Sequence, residues 1–527
     1  MAWQFLTLAW AAIITSIRTG FPRTFISEVM VYSSTLLHIY KPCLCGTLEG
    51  SEKQIGKMKT RHLLFLLVVV FAPLFAHAQD EVTVGEIKYK LYSVGAYVSG
   101  TTTKNIVVAD IASAITDGTN SYKVIGIDNS AFSYCSGLLL VTIPNSVTSI
   151  GESAFSGCSN MTTVSIPGSV TTIGAYAFRN CTAINSLTLN SGLRSIGVEA
   201  FSGCSKITTV SLPASVIALG HRAFANCTSL TKITTPSGLM SLGDEVFKGC
   251  SALTSISLPS TVTNMGNAVF SGCSAMTKAT MPNNIVNFGT GMFSGCSSLT
   301  TVNIPSNAMT LGAGIFSGCT SLKEITIPNG ITDIPANLFN GCSALTTVKM
   351  SDAVETIGTG VFAGTALTSF TVPQNVTAIS DNTFSGCSKL ASVTIHNKVT
   401  SIGSNAFSGC PFSTITLPSS VEFLGSGAFS SCTNLKSFKF PEKVTYAASD
   451  LFSGCSQLSS VTAQNIEIIE NGAFAGTILK TIILPKITLI GERAFYGCIA
   501  LSSITCPEVT RIGKGAFLIV KVFLLFR

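Results

Sequence analysis

The chain has 527 residues, of which 46% are hydrophobic and only 11% are charged, and its formal net charge is +7. Residues 1–78 hold seven Lys or Arg and three Asp or Glu, which leaves 25 basic and 22 acidic residues and a net charge of +3 beyond them. Because the lysines are few and scattered, no basic stripe for phosphate binding stands out, and we expect no nucleic-acid partner.

The amino-terminal part predicts secretion. Residues 1–57 contain no repeat, and we interpret them as a non-native extension from a start codon assigned too early. A basic start at Met58 precedes the apolar residues 63–75 and the sequence Ala76-His77-Ala78, which predicts a signal peptide over 58–78. The apolar run is too short to span a bilayer comfortably, so we expect no transmembrane segment in the mature chain. A genuine extended leader or a signal anchor is the alternative.

Residues 79–127 form a distinct segment after the predicted cleavage site. They contain the strand-like runs EIKYKLYSV, KNIVVADIA and SYKVIGI, bounded by turn residues. An end coil would otherwise expose its core, so we predict that this segment is a β-rich amino-terminal cap.

A phenylalanine recurs eighteen times between Phe132 and Phe517. The interval is 23 residues up to Phe362 and 21 to 23 residues later. A fixed period in this range indicates stacked coils, so we predict a repeat solenoid of about 18 coils over residues 128–517. No single coil can bury enough apolar surface alone, and stability must come from contacts between neighbours.

Each repeat contains apolar residues in the order Leu138-x-x-Val141-x-Ile143, followed by Pro144. This order is the core of a leucine-rich repeat, and its in–out alternation predicts one short parallel β-strand per coil, ended by proline. The remainder is short and rich in Thr, Ser and Gly, which favours extended segments and a turn, or one helical turn ending at Phe155. The predicted fold is therefore mostly β and irregular, with little helix.

Fifteen of the eighteen cysteines lie three residues after an anchor phenylalanine, and Thr365 and Thr477 replace two others. A metal ladder or a disulfide framework is one interpretation, because stacked Cα atoms lie within disulfide range. We favour buried free thiols, since equivalent side chains in a solenoid point in the same direction and no zinc-type cluster accompanies them.

Chemistry-bearing motifs are missing from the repeats. His221 and His396 are separated by several coils, and no P-loop, G-x-G-x-x-G fingerprint or H-E-x-x-H motif occurs. We predict a protein that is not an enzyme and that uses no cofactor or metal. Residues 518–527, LIVKVFLLFR, depart from the repeat, and we interpret this apolar tail as the result of a truncation or frameshift.

The recurrent IG…AFSGCSxLTxVxIP pattern, as in SVTSIGESAFSGCSNMTTVSIPGSV from Ser146, resembles the BspA-like, Treponema-type leucine-rich repeat family over about residues 122 to 517. The resemblance implies a secreted or surface-attached protein, in many cases bacterial, that adheres to host matrix proteins, host cells or other bacteria.

The outward positions of the predicted strands form a face lined by hydroxyl groups. Our candidate binding residues on this face are Thr163, Ser165, Ser186, Thr188, Thr209, Ser211, Lys232, Thr234, Lys278, Thr301, Asn303, Glu324 and Lys349. Thr is favoured there by strand propensity alone. As a group they predict binding of proteins, such as matrix or cell-surface proteins, or of glycans, although the face lacks aromatic platforms for sugars. A structural spacer and an ice-binding surface are the alternatives.

Overall fold

The computed structural model describes residues 79–520, in which the regular elements are β-strands and no helix occurs. The predictions of a non-native extension at 1–57 and of a signal peptide at 58–78 lie outside the described residues, as does the tail beyond Val520. Within the described part of the chain, no helix of membrane-spanning length and apolarity is found.

The structure confirms the predicted fold class: the chain forms a β-solenoid of about 17 turns. It divides into two units. The first runs to Ile207 and includes Pro213–Val216, and the second comprises Thr208–Leu212 and the chain from Ile217 onward.

Three groups of strands build the two units. The amino-terminal segment contains the strands Gln79–Val84, Ile87–Tyr92, Gly95–Thr101, Val108–Asp110, Ala114–Thr116 and Ser121–Ile127. The predicted strand of each coil, which we call a front strand, occurs at Leu140–Thr142, Thr163–Ile166, Ser186–Leu189, Thr209–Ser211, Lys232–Thr234, Ser255–Ser257, Lys278–Thr280, Thr301–Val302, Glu324–Thr326, Thr347–Lys349, Ser369–Thr371, Ser392–Thr394, Ser437–Lys439, Ser460–Thr462, Thr481–Ile483 and Ser503–Thr505.

Most coils also have a second, two-residue strand, in the part of the repeat where the sequence predicts only extended segments and a turn. These flank strands are Ser149–Ile150, Thr172–Ile173, Ser195–Ile196, Ala218–Leu219, Ser241–Leu242, Asn264–Met265, Asp333–Ile334, Thr356–Ile357, Ala378–Ile379, Ser401–Ile402, Phe423–Leu424, Tyr446–Ala447, Ile468–Ile469, Leu489–Ile490 and Arg511–Ile512. In each flank strand of the first unit the isoleucine is buried and its neighbour is not.

In the first unit, the strands of residues 79–127 continue into the coils. Ser121–Ile127 pairs in parallel with the flank strand Ser149–Ile150, and Val108–Asp110 pairs in parallel with the front strand Leu140–Thr142. The front strand and the flank strand of the first coil are therefore both paired on their amino-terminal side, which is the geometry that a cap requires. The capping role itself stays a prediction.

The coils within each unit stack in register. Thr163 pairs with Ser186 in the first unit, and Thr209 pairs with Lys232 in the second. Because each partner is the same position one coil later, every side chain of the repeat forms a column along its unit. The period seen in the sequence is thus converted directly into columns of identical or similar residues.

The anchor phenylalanines form the largest column of the core. In the first unit, neighbouring ring centroids from Phe132 to Phe201 lie 4.9–5.1 Å apart. In the second unit, neighbouring anchor rings lie between 5.3 and 6.0 Å apart, and those from Phe224 to Phe362 are fully buried. Burial of one such ring contributes about 1.5–3 kcal/mol, so the column supplies much of the stability of each coil.

The segment around each phenylalanine is a pair of turns. The backbone is left-handed two residues before and two residues after the ring, as at Asn337 (φ 57) and Gly341 (φ 73) on either side of Phe339. The phenylalanine N–H donates to the next coil, for example from Phe339 to the Val361 carbonyl at 2.9 Å. Because this donor is used between coils, the alternative of a helical turn ending at phenylalanine is wrong, and a turn stands there instead.

Candidate binding surface

The front strands present their outer side chains to solvent, as the sequence predicted. Twelve of the thirteen candidate residues are exposed, and Thr163 is half-buried. Between them, Val164 and Val210 point into the core and are at most 3% exposed. We call the outward side of the front strands the front face of each unit.

The candidates form separate groups on the two units. In the first unit, Ser165 lies beside Thr188 in the adjacent strand, next to the pair formed by Thr163 and Ser186. In the second unit, Ser211 lies beside Thr234, next to the pair formed by Thr209 and Lys232. Lys278 lies beside Thr301. Glu324 and Lys349 occur on two strands that pair with each other, beside Thr347 and Thr326 respectively.

Hydroxyl groups on the front face and hydroxyl groups just before it behave differently. Thr231 and Thr300 precede a front strand, and each donates its hydroxyl to a backbone carbonyl of the preceding coil, at 3.0 and 3.1 Å. Among the described residues, the side chains of the candidates other than Asn303 make no hydrogen bond to the protein. The front-face hydroxyls therefore remain available to a ligand.

Asn303 is the exception among the candidates. Its Oδ1 accepts a hydrogen bond from the Met281 N–H at 3.1 Å, and its Nδ2 donates to the Met281 carbonyl at 3.3 Å. The side chain thus replaces part of the strand ladder where the front strand Thr301–Val302 stops short. Asn303 is exposed, but its amide groups are already used by the fold.

The lysines of the second unit concentrate on the front face, although they look scattered along the sequence. Seven of them lie within a front strand or directly before one, and all are exposed: Lys232, Lys278, Lys323, Lys349, Lys436, Lys439 and Lys480. At these positions of the second unit, as far as the structure describes it, Glu324 is the only acidic residue. Four of these lysines were not among the predicted binding residues. Lys323 and Lys436 lie seven residues after the anchor phenylalanine, Lys439 lies ten residues after it, and Lys480, in a shorter coil, lies six residues after it.

The flank strands of the second unit carry the opposite charge. Exposed acidic residues lie in a flank strand at Asp333 and directly before one at Glu355, Glu422 and Glu467. Arg511 is the one basic residue at these positions within the described chain. The second unit is therefore polarised across its width, with a basic front face and an acidic flank.

The cysteine column is buried, as predicted. Every cysteine of the column is fully buried, and Cys296 donates its thiol to the carbonyl of Phe270 in the preceding coil at 3.1 Å. Burial raises the pKa of the Cys296 thiol to about 12. Where Thr365 replaces cysteine, its hydroxyl donates to Phe362 of its own coil at 2.8 Å. Within residues 79–520, no cluster of His, Cys, Asp and Glu suited to a metal ion occurs.

Several further ionisable groups lie on the turns. The Arg222 guanidinium, with Lys248, holds the pKa of the Glu245 carboxyl below its ordinary value. His221 Nδ1 lies 3.1 Å from a carboxylate oxygen of Asp244, and both side chains are well exposed. His396 contacts the Pro373 carbonyl at 2.8 Å. These are pairwise surface contacts between neighbouring coils.

A coil with one front strand, an L-x-x-L-x-L core and columns of buried side chains defines a leucine-rich repeat solenoid. A family model described as the BspA type leucine rich repeat region matches residues 113–229, 194–322, 265–390, 355–479 and 467–522. The chain therefore belongs to the BspA-type leucine-rich repeat family, and the predicted family is confirmed.

Solved structures of other leucine-rich repeat proteins are similar to this chain. A leucine-rich repeat protein from Bacteroides ovatus is 25% identical, with a TM-score of 0.57, and the match covers 84% of this chain and 99% of that one. A leucine rich cell surface protein from Faecalibacterium prausnitzii is 25% identical over 82% of this chain and 96% of that one, with a TM-score of 0.44. Among curated proteins, no relative matches the chain.

Proposed function

We propose that this protein is secreted or held at the cell surface and acts there as a non-catalytic adhesin or protein-interaction module. The observation that carries the proposal is the front face, where side chains stand exposed in regular columns with their hydroxyl groups unused by the fold. Such a face offers many weak polar contacts to a matrix or cell-surface protein, or to a glycan. Family membership supports an interaction role, and the signal-peptide pattern at residues 58–78 supports export.

Binding on this face should be distributed over several coils. The front-face side chains are small, polar and similar to one another, so no single one provides the buried anchor that dominates most protein interfaces. Replacement of Lys232 and Lys278 together should therefore change the binding of matrix proteins less than removal of three coils, residues 271–339.

The experiment is a binding screen of the purified protein against extracellular matrix proteins and a glycan array, followed by the two variants on any ligand found. A single front-face substitution that abolishes binding, with an unchanged circular dichroism spectrum, would contradict distributed recognition. If no ligand binds, the adhesin proposal fails and the alternative of a structural spacer is favoured. Amino-terminal sequencing of the exported protein tests secretion separately, with Gln79 expected as the first residue.

A further inference from the structure

Charge on the second unit is sorted by strand, and this sorting points to a ligand class. Seven lysines and one glutamate occupy the front positions, whereas four acidic residues and one arginine occupy the flank positions. A net charge of only +3 beyond residue 78 therefore conceals a strongly basic surface. Because charges of one sign on one face raise the local concentration of the opposite charge, the front face of the second unit should attract anions.

The front-face ammonium groups are not neutralised by the protein itself. Ion pairs of the second unit join Arg222 and Lys248 to Glu245, and Lys443 to Glu422, all away from the front strands. In the described chain, none of the seven front lysines pairs with a carboxylate. Their charge is therefore available to a bound molecule.

Each lysine within a front strand has a hydroxyl neighbour in the adjacent strand. Lys232 pairs in register with Thr209, and Lys278 pairs with both Ser255 and Thr301. Lys349 pairs with Thr326, and Lys439 with Thr462. Adjacent strands lie about 4.8 Å apart, so one ammonium and one hydroxyl donor can bind oxygens of the same anionic group.

The spacing of these lysines argues against nucleic acid. Seven lysines are spread over the twelve coils from Phe224 to Phe474, which gives a mean separation of about 9 Å at a strand spacing of about 4.8 Å. Each strand of a DNA duplex carries a phosphate about every 3.4 Å along the helix axis, so most of its charges would have no partner. A polymer whose charges are sparser and separated by hydroxyl groups is the better match.

An acidic peptide is also a poorer match. Each front strand of the second unit pairs with a neighbouring coil, so a peptide cannot add to the face as a further strand, and the outward positions of these strands are polar apart from Ile483, which leaves little to anchor apolar side chains. Sugar hydroxyls, in contrast, both donate to and accept from Ser and Thr hydroxyl groups. We propose that the front face of the second unit binds an acidic polysaccharide, whose sulfate or carboxylate groups lie on the Lys–hydroxyl pairs.

This inference rests on the proposed function, since it names a ligand class for the same face. The test measures binding of a fluorescent, lightly substituted dextran sulfate, whose sulfates are as sparse as the front lysines, and of neutral dextran, poly-glutamate and single-stranded DNA, to the full chain at increasing NaCl. Dextran sulfate should bind at least about tenfold more tightly than the other three polymers at low salt, and its affinity should fall as salt rises.

Two variants with the same charge change locate the site. Substitution of Lys232, Lys278, Lys349 and Lys439 by Gln should weaken dextran sulfate binding about tenfold or more and reduce its salt dependence. The control replaces Lys248, Lys398, Lys443 and Lys514, exposed lysines away from the front strands, and should change the affinity by less than about twofold.

Each outcome is decisive. Equal loss in both variants would mean attraction by net charge alone, and tighter binding of DNA or poly-glutamate would assign the face to another class of polymer; either result overturns the inference. If matrix proteins bind the front face but dextran sulfate does not, the inference fails and the proposed function stands. If neither binds, the proposed function fails as well.

Discussion

The cysteine that lies three residues after most anchor phenylalanines links neighbouring coils through its thiol. Cys250 and Cys296 donate to the Phe224 and Phe270 carbonyls of the preceding coils, at 3.1 Å in both cases. Serine is shorter and more polar, and alanine cannot donate, so cysteine combines apolar filling with a weak donor. This explains why one residue type recurs in a column without any disulfide or metal chemistry being needed.

This column predicts a loss of stability at alkaline pH. Burial raises the pKa of Cys250 and of Cys296 from the ordinary 9.0 to about 12. Above about pH 9 the unfolded chain releases these protons, whereas the folded state retains them up to about pH 12. The contribution of the protonated thiols to the unfolding free energy is therefore complete below about pH 9 and is lost as the pH rises towards about 12. At about pH 10, each thiol should account for about 1 kcal/mol of the decrease in unfolding free energy. Urea unfolding at pH 8 and at pH 10 measures the decrease.

A paired control separates ionisation from packing. The double variant Cys250→Ala, Cys296→Ala should show a smaller decrease between the two pH values than the unaltered protein. Leu253→Ala, which removes a fully buried side chain that cannot ionise, should show an unchanged decrease despite its lower stability. An equal pH dependence in all three proteins would rule out the thiols as its origin.

At the scale of elements, the end of each flank strand passes very close to the turn of the preceding coil. A Cβ placed on Gly425, which follows the flank strand Phe423–Leu424, would lie 2.4 Å from the Ser404 backbone nitrogen. The equivalent position in most coils is also glycine, which suits so close an approach of the two backbones, whereas Pro335, Ser380, Ala448 and Glu470 occupy it in the other coils.

We therefore expect Gly425→Ala to destabilise the protein by about 1–3 kcal/mol, since backbone must move to admit the methyl group. Gly330→Ala is the matched control, because its Cβ would meet only the Ala308 carbonyl oxygen at 3.4 Å, and its effect should stay within about 0.5 kcal/mol. Thermal unfolding followed by circular dichroism compares the two. If both variants lost a similar amount of stability, the close approach of the two backbones would not be the reason for glycine at position 425.

The sequence was sufficient to predict the front strands and the buried columns, because the repeat period and the in–out alternation can be read directly from the order of the residues. The flank strands were not recognised: two residues such as Ser241 and Leu242 are too short to show a period. The lysine-rich front face was also missed, since Lys323 and Lys480 are placed on the same face as Lys278 and Lys439, two coils away, only when the coils are superposed. Side-chain hydrogen bonds could not be predicted from the sequence either. Asn303 was therefore predicted to bind a ligand, although its amide group completes the strand ladder.

At the scale of the whole molecule, each coil bonds only to its neighbours, so coils should be interchangeable. Removal of residues 294–316 joins Phe293 to Ser317 and brings every column back into register, because the deleted length is one period. This variant should keep its β-type circular dichroism spectrum and cooperative unfolding, with stability reduced by no more than the loss of one coil.

Removal of residues 294–305 provides the comparison, since half a coil would place polar turn residues against buried positions. That variant should unfold at a much lower temperature or fail to fold. If both deletions are tolerated alike, register between columns is not what stabilises the solenoid.

The same neighbour-only bonding gives the chain a distinctive response to tension. All coils carry the same tension when the chain is pulled, and an end coil should open first because it has a neighbouring coil on one side only. Each opening releases roughly 78 Å of extended chain, given 23 residues at about 3.4 Å each. Under shear, such a molecule would lengthen in many small steps of similar size. Each step would dissipate energy, so a sudden force would extend the chain before it broke the contact with a bound ligand.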